Sequence, residues 1–152
     1  MRLGIISDTH GLLRPEVETA LQGVQLIVHA GDVGSPEILS KLKVIAPVFA
    51  VRGNVDTESW ARELPVTTVV EAGGATFYVL HNLRELDLRP EAAKFDFVIS
   101  GHTHLAEQSQ RNGVTYLNPG SAGPKRFHLP VTLALLDLAR KPWRANVIHL
   151  LE

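Results

Sequence analysis

The stretch LGIISDTHGLLRPEVETALQGVQLIVHAGD, residues 3–32, decides how this chain folds. It opens on a short apolar run, Leu3 to Ser7, that stops at Asp8 and reads as a buried strand. Pro15 to Gln22 follows, with Val17, Ala20 and Leu21 at helical spacing and a proline suited to a first turn. Gln25 to His29 is a second apolar run, and it ends in Ala30-Gly31-Asp32. Strand, helix and strand of this length imply two parallel strands joined by a right-handed crossover.

The pattern continues outward. Ser35-Pro36-Glu37 marks a helix start, with a hydroxyl at the cap, proline in the first turn and an acid near the positive end. Ile38, Leu39 and Leu42 form its apolar face. Pro47 to Val51 is a third strand, leading into Arg52-Gly53-Asn54. The opening half is therefore β-α-β-α-β. The second half is richer in strands. Val66 to Val70 and Thr76 to Leu80 flank Gly73-Gly74, and Ala106 to Gln110 and Val114 to Leu117 flank Asn112-Gly113, a strong hairpin signal. Pro90 to Lys94 suggests one or two helical turns, and Phe95 to Ser100 is another buried strand. Val131 to Leu138 and Trp143 to Leu151 flank Lys141-Pro142 and form a closing β-pair. The expected fold class is α/β: two packed β-sheets flanked by helices, with helices over the parallel sheet, in one domain spanning 1–152.

Composition limits the chemistry. With 152 residues, 45% apolar and 20% charged, the chain can bury a core without staples. It has no cysteine, so disulfides and thiolate metal sites are excluded. A metal site must use imidazole, carboxylate and amide oxygen, a donor set for manganese, iron, nickel, zinc or magnesium. The net charge of -1 and the lack of a basic run give no sign of an extended nucleic-acid surface. The opening residues lack a signal-peptide core, and no segment reaches the ~20 apolar residues of a membrane span, so the expected location is the cytoplasm.

The polar residues of interest stand where apolar strands end: Asp8 and His10, Asp32, Asn54, His81, then His102 and His104. In open α/β sheets the carboxyl ends of strands meet at one edge, where ligands bind. Asp8-Thr9-His10 alone could be a turn. Gly31-Asp32 and Gly53-Asn54 are ordinary turn dipeptides, and an isolated His81 is more often a satisfied structural histidine than a ligand. Gly101-His102-Thr103-His104 is stronger, because it sets two imidazoles beside a glycine that lets the chain turn. Their joint occurrence in one order at five strand ends is what turn chemistry does not explain.

This order, D-x-H, G-D, G-N, H, G-H-x-H, resembles the calcineurin-like metallophosphoesterase superfamily. The short chain, its start RLGIISDTHG and the stretch from SGHTH to YLNPGS resemble the small YfcE-type phosphodiesterase branch. The resemblance implies a four-layer α/β/β/α sandwich and two divalent ions per chain. Asp8, His10 and His104 would hold one ion, Asn54, His81 and His102 the other, and Asp32 would bridge them. Two such ions roughly 3.5–4 Å apart suit a hydrolase whose bridging hydroxide attacks phosphorus. Manganese leads the expected metals, and a small phosphodiester or phosphorylated substrate, no membrane, and a dimer or tetramer complete the expectation.

Two departures stand out. Many members carry histidine after the asparagine, and the small branch commonly has Cys-Asp there; this chain has Val55-Asp56. The branch often has His-Gly where His81-Asn82 stands, and Asn82 reads as a turn residue tolerating positive φ. The leaving-group proton donor is therefore unassigned, which favours phosphodiesters with good leaving groups. Arg52, Lys125 and Arg126 are candidates to meet an anion, against surface roles. His29 and His149 read as structural, His128 carries no role, and Asn118 to Ser121 read as a loop shaping the backbone behind His102 and His104. The rival reading is a non-catalytic scaffold, as in a retromer subunit of this superfamily. A simple nucleotide-binding module lacks its glycine-rich phosphate loop here.

Overall fold

Strand β1 (Arg2–Ile6) is the pivot of the first sheet in the computed structural model, which describes residues 1–151. The last residue of the expected 1–152 domain, Glu152, lies outside them. β1 pairs in parallel with β2 (Leu26–His29), and β2 with β3 (Val48–Ala50). On its other side β1 pairs antiparallel with β9 (Thr132–Asp137), which pairs with β10 (Ala145–His149). The resulting order is β10-β9-β1-β2-β3. The second sheet has the order β4-β5-β6-β8-β7, built from β4 (Thr67–Ala72), β5 (Ala75–Leu80), β6 (Phe97–Ile99), β7 (Glu107–Arg111) and β8 (Val114–Asn118). Both glycine-marked hairpins form, with Gly73 and Gly74 at φ 56° and 84° and Asn112 and Gly113 at 52° and 80°.

Each sheet gives one face to a shared core. Leu3, Ile5 and Val28 from the first pack against Phe77, Val79 and Ile99 from the second. The ring planes of Phe77 and Phe97 stack there at 4.8 Å. The outer face of the first sheet is covered by α1 (Pro15–Ala20) and α2 (Pro36–Ile45), through Val17, Ile38, Leu39 and Leu42. Ser35 holds the cap position of α2 in extended backbone, but its hydroxyl makes no capping bond. The outer face of the second sheet is covered by a 3₁₀ turn (Leu83–Glu85) and the turns after it, with Leu83, Leu86, Leu88 and Phe95 over Tyr78 and Val98. Only short turns form at Pro90–Lys94, because 82–96 crosses one sheet face while alternating apolar and charged residues. A second 3₁₀ turn, Ser59–Glu63, lies between β3 and β4. No helix among the described residues is long and apolar enough to cross a membrane.

Candidate metal centre

The loops after β1, β2, β3, β5 and β6 meet at one end of the sandwich, three from the first sheet and two from the second. They bring all seven sequence-selected side chains together. Asp8, His10 and His104 form one group whose donor atoms lie within 4.8 Å of one another; Asp32, His81 and His102 form another. The two groups touch. His10 Nε2 lies 3.7 Å from Asp32 Oδ2 and 3.8 Å from Asp8 Oδ1, and His81 Nε2 lies 3.2 Å and 3.9 Å from the same two oxygens. Asp8, Asp32, His81 and His104 are buried, whereas His102 and Asn54 stand at the open rim.

Backbone geometry aims these groups. Asp8, His10, Asp32, His102 and His104 all hold positive φ, between 47° and 74°, a region that costs most residues strain. Gly53, just before Asn54, is needed for room rather than for φ: a Cβ there would strike the backbone nitrogen and carboxylate of Asp32. Asp56 ties two of the loops. It is buried, and its carboxylate accepts from the backbone N–H groups of Val33 (3.1 Å), Gly34 (3.0 Å) and Gly53 (2.9 Å). A second brace begins where Gly31 N–H donates to His29 Nδ1 (3.1 Å), which leaves the proton on Nε2. That Nε2–H donates to Thr9 Oγ1 (3.0 Å), and the threonine hydroxyl donates to Val33 O (2.8 Å). Full burial holds His29 down at about 4, so it stays neutral.

The donor atoms fit divalent cations. Asp8 Oδ2 accepts from Ser7 Oγ (2.7 Å) and from His102 N–H (3.1 Å). Its other oxygen, Oδ1, is buried without a hydrogen bond and faces the imidazoles, with His104 Nε2 nearest at 3.4 Å. A buried carboxylate oxygen is costly to leave uncompensated. The Asn54 side-chain oxygen faces only acceptors: His81 Nε2 at 3.0 Å and the Asp32 oxygens at 3.3 and 3.2 Å. Turning the amide over would let its NH₂ donate to them; left as it stands, the oxygen adds a lone pair to a set that converges on one point. The Asn54 amide is thus satisfied in either sense, by donating its NH₂ or by giving its oxygen to a cation, whereas Asp8 Oδ1 has no hydrogen-bonding alternative. A demand for positive charge also appears in His81. Burial acts to lower its pKa, yet the Asp32 carboxylate, with Asp8 beyond it, raises it above the ordinary value. Asp32 is held at about 2 against its own burial, by His81 and by Val55 N–H at 3.0 Å. His10 moves the other way, lowered by burial more than the two aspartates raise it. The Nδ1 atoms differ as well: that of His81 donates to Ala30 O at 2.7 Å, whereas that of His104 is buried with no partner.

The lesser residues find plain places. Asn118 Nδ2 donates to Gly101 O (3.0 Å) and Thr103 Oγ1 (3.1 Å), and Ser121 Oγ donates to Asp8 O (3.0 Å), so this loop does brace the two histidines. Asn82 is a turn residue, but at φ -111° rather than at positive φ; its side chain accepts Arg84 N–H at 3.1 Å to cap the 3₁₀ turn. Arg52 lines an 820 Å³ cleft beside Asn54 and His81. Lys125 and Arg126 are exposed, and Arg126 is close enough to act on His10. His128 and His149 are exposed, and neither belongs to the two metal-competent groups. Ser7, Thr9 and Asp56 are the contributors that sequence reading passed over. Asp56 alone had a signal, as an acid following the asparagine motif.

Comparison with known proteins points the same way. The family model for the calcineurin-like phosphoesterase superfamily domain matches residues 1–141. A probable metallophosphoesterase of Methanothermobacter thermautotrophicus is 37% identical over 150 residues, covering 89% of this chain and 85% of the relative. Phosphodiesterase YfcE of Escherichia coli is 30% identical over 162 residues, covering 90% of this chain and 88% of its own. Among solved structures, wild-type Vps29 of Entamoeba histolytica complexed with Zn²⁺ matches with a TM-score of 0.73 at 22% identity, over 99% of this chain and 100% of that one. At that identity the likeness speaks for the fold alone.

Proposed function

The chain belongs to the calcineurin-like phosphoesterase superfamily, in its small YfcE-type branch, and from that premise we propose that it is a dinuclear metal-dependent phosphodiesterase. The observation that carries this is the buried Asp8 Oδ1, which makes no hydrogen bond and faces the imidazoles of His10, His81 and His104. Asp8, His10 and His104 would hold one divalent ion and Asn54, His81 and His102 the other, with Asp32 within reach of both groups. Ions of the manganese type, when bound, neutralise phosphate oxygens and make water acidic enough to be a nucleophile near neutral pH.

The residues supply the rest. His81 is fixed in orientation by Ala30 O, which directs its Nε2 lone pair inward. Asp8 is fixed by Ser7 and by His102 N–H. His102 and Asn54 at the rim leave the centre open to a small phosphorylated substrate. Val55, 45% exposed, has no proton to give where many members carry histidine. Substrates whose leaving group departs without protonation are therefore favoured, which means phosphodiesters with acidic alcohols.

The test combines metal content with turnover. The purified protein should carry about two divalent ions per chain and hydrolyse bis(p-nitrophenyl) phosphate in a chelator-sensitive way. Asp32→Ala should abolish turnover, since it removes a ligand common to both groups. No bound metal and no hydrolysis with manganese, nickel, magnesium or zinc would sink the reading. The rival, a non-catalytic scaffold on this fold, is separated by turnover and not by metal content, because intact ligands would bind ions in either case.

A further inference from the structure

Two clefts flank the metal centre, and His102 and Asn82 line both. The first, of 680 Å³, runs from Gly101 and His102 along β8 and β7. That volume is in the range of sites that hold small molecules. Its walls combine three chemistries. Arg111 lies over the Tyr116 ring, its guanidinium carbon 4.8 Å from the centroid, and Leu83 adds apolar surface. Glu107 and Ser109 offer hydrogen-bonding groups that no other side chain engages among the described residues. Arg84 and Arg111 bring two positive charges against the one carboxylate of Glu107, and no carboxylate among the described residues lies within ion-pair distance of either arginine. The second cleft, of 820 Å³, sets Arg52 and Arg62 against three carboxylates, Asp56, Glu85 and Asp87, so it offers no excess of positive charge.

We propose that the 680 Å³ cleft binds the nucleoside arm of a phosphodiester substrate whose phosphorus sits at the metal centre beside His102. A planar heterocycle is the arm that uses all three features. It stacks on the wall made by Arg111 and Tyr116, and its ring edge carries donors and acceptors suited to Glu107 and Ser109. Arg84, which follows Asn82 in the chain and lines the same cleft, is the guanidinium left free for the anionic linkage. A choline-type arm would meet two guanidinium charges against one carboxylate and find the Tyr116 face already covered by a cation, and a glycerol-type arm would leave the stacking wall unused. This rests on the phosphodiesterase reading for what happens at the centre, but His102 is the one ligand that lines the cleft, and Arg111 and Tyr116 stand apart from all seven.

Two measurements decide it on the full chain loaded with manganese. The first is the ratio of kcat/KM for thymidine 5′-(p-nitrophenyl phosphate) to that for methyl p-nitrophenyl phosphate. A ratio of about tenfold or more is expected, falling at least fivefold in Arg111→Ala and in Tyr116→Ala. A ratio near one, or one that neither variant moves, overturns the proposal. The second is calorimetric binding of adenosine 5′-monophosphate against inorganic phosphate, which needs no turnover. Tenfold tighter binding of the nucleotide, weakened in Arg111→Ala, supports the cleft assignment; equal binding overturns it. If neither ester is hydrolysed while the nucleotide still binds more tightly, the activity reading fails and the nucleoside site stands.

Discussion

Five of the seven proposed ligands sit at positive φ, and such strain persists only where surrounding contacts over-determine it. Here those contacts are identifiable single side chains. Asp56 satisfies three backbone N–H groups from the loops that carry Asp32 and Asn54. Asp56→Ala would orphan all three, at a cost of about 3 kcal/mol or more, read as a lower urea midpoint. It should also weaken metal binding by about 10–100-fold, because Asp32 and Asn54 would lose their register. Asp56→Asn, which keeps one oxygen acceptor, should fall between. His29 gives a pH signature. Its ordinary value of 6.5 drops to about 4 in the folded chain because burial disfavours the charged ring. The unfolded chain takes up a proton below 6.5 and the folded chain does not, so the contribution is complete above 6.5 and is lost as pH falls through 4. A drop of that size corresponds to about 3 kcal/mol. Urea midpoints taken in chelator from pH 7.5 to 4 should fall in the natural protein and fall less steeply in His29→Gln. Parallel profiles would refute the assignment.

The loop after each strand is the element on which the centre is built, and its glycine sets how closely the next loop can approach. Gly53 packs against the backbone and carboxylate of Asp32 at a distance no side chain fits. Gly53→Ala should therefore cut metal stoichiometry by separating Asn54 from Asp32, while far-ultraviolet dichroism shows the sheets intact. Retention of both ions would mean that the loops can slide. These strand ends were readable in sequence for a simple reason. An apolar run buried on both faces stops abruptly at its first polar residue, and in β1, β2 and β6 that residue or its near neighbour is a candidate ligand. The glycine-marked hairpins were readable because only a few residues tolerate their backbone. The cover over the second sheet was less so: residues 82–96 have no sustained period, and their placement depends on the sheet they lie on rather than on local preference. The braces were hidden for a related reason. Ser7, Thr9 and Asp56 act on loops 20 or more residues away in the chain, and no local pattern encodes a partner at that range.

At the scale of the whole molecule, each proposed ion would be held from both sheets. Asp8 and His10 follow β1 of the first sheet, while His104 follows β6 of the second; Asp32 and Asn54 follow β2 and β3, while His81 and His102 follow β5 and β6. The sheets otherwise meet through the apolar core, which is non-directional and does not fix how the two top edges face each other. Ions at the junction would thus clamp one end of the sandwich and stabilise the folded chain by mass action. An ion at 100 times its dissociation constant contributes about 2.7 kcal/mol. For a chain of this size that corresponds to a rise in thermal midpoint of about 5–10 °C per ion. The two contributions should differ in kind. His81 is oriented by Ala30 O, whereas His104 has no partner on its second nitrogen, so the group around His81 should fill first and the group around His104 should exchange faster. Manganese titration followed by calorimetry should therefore resolve two steps, with the thermal midpoint rising across both. Asp32→Ala should flatten most of that rise. His104→Ala should remove the weaker step and leave the tighter one. A single step that vanishes in His104→Ala would mean that the groups bind as one unit, and the proposed order of filling would be wrong.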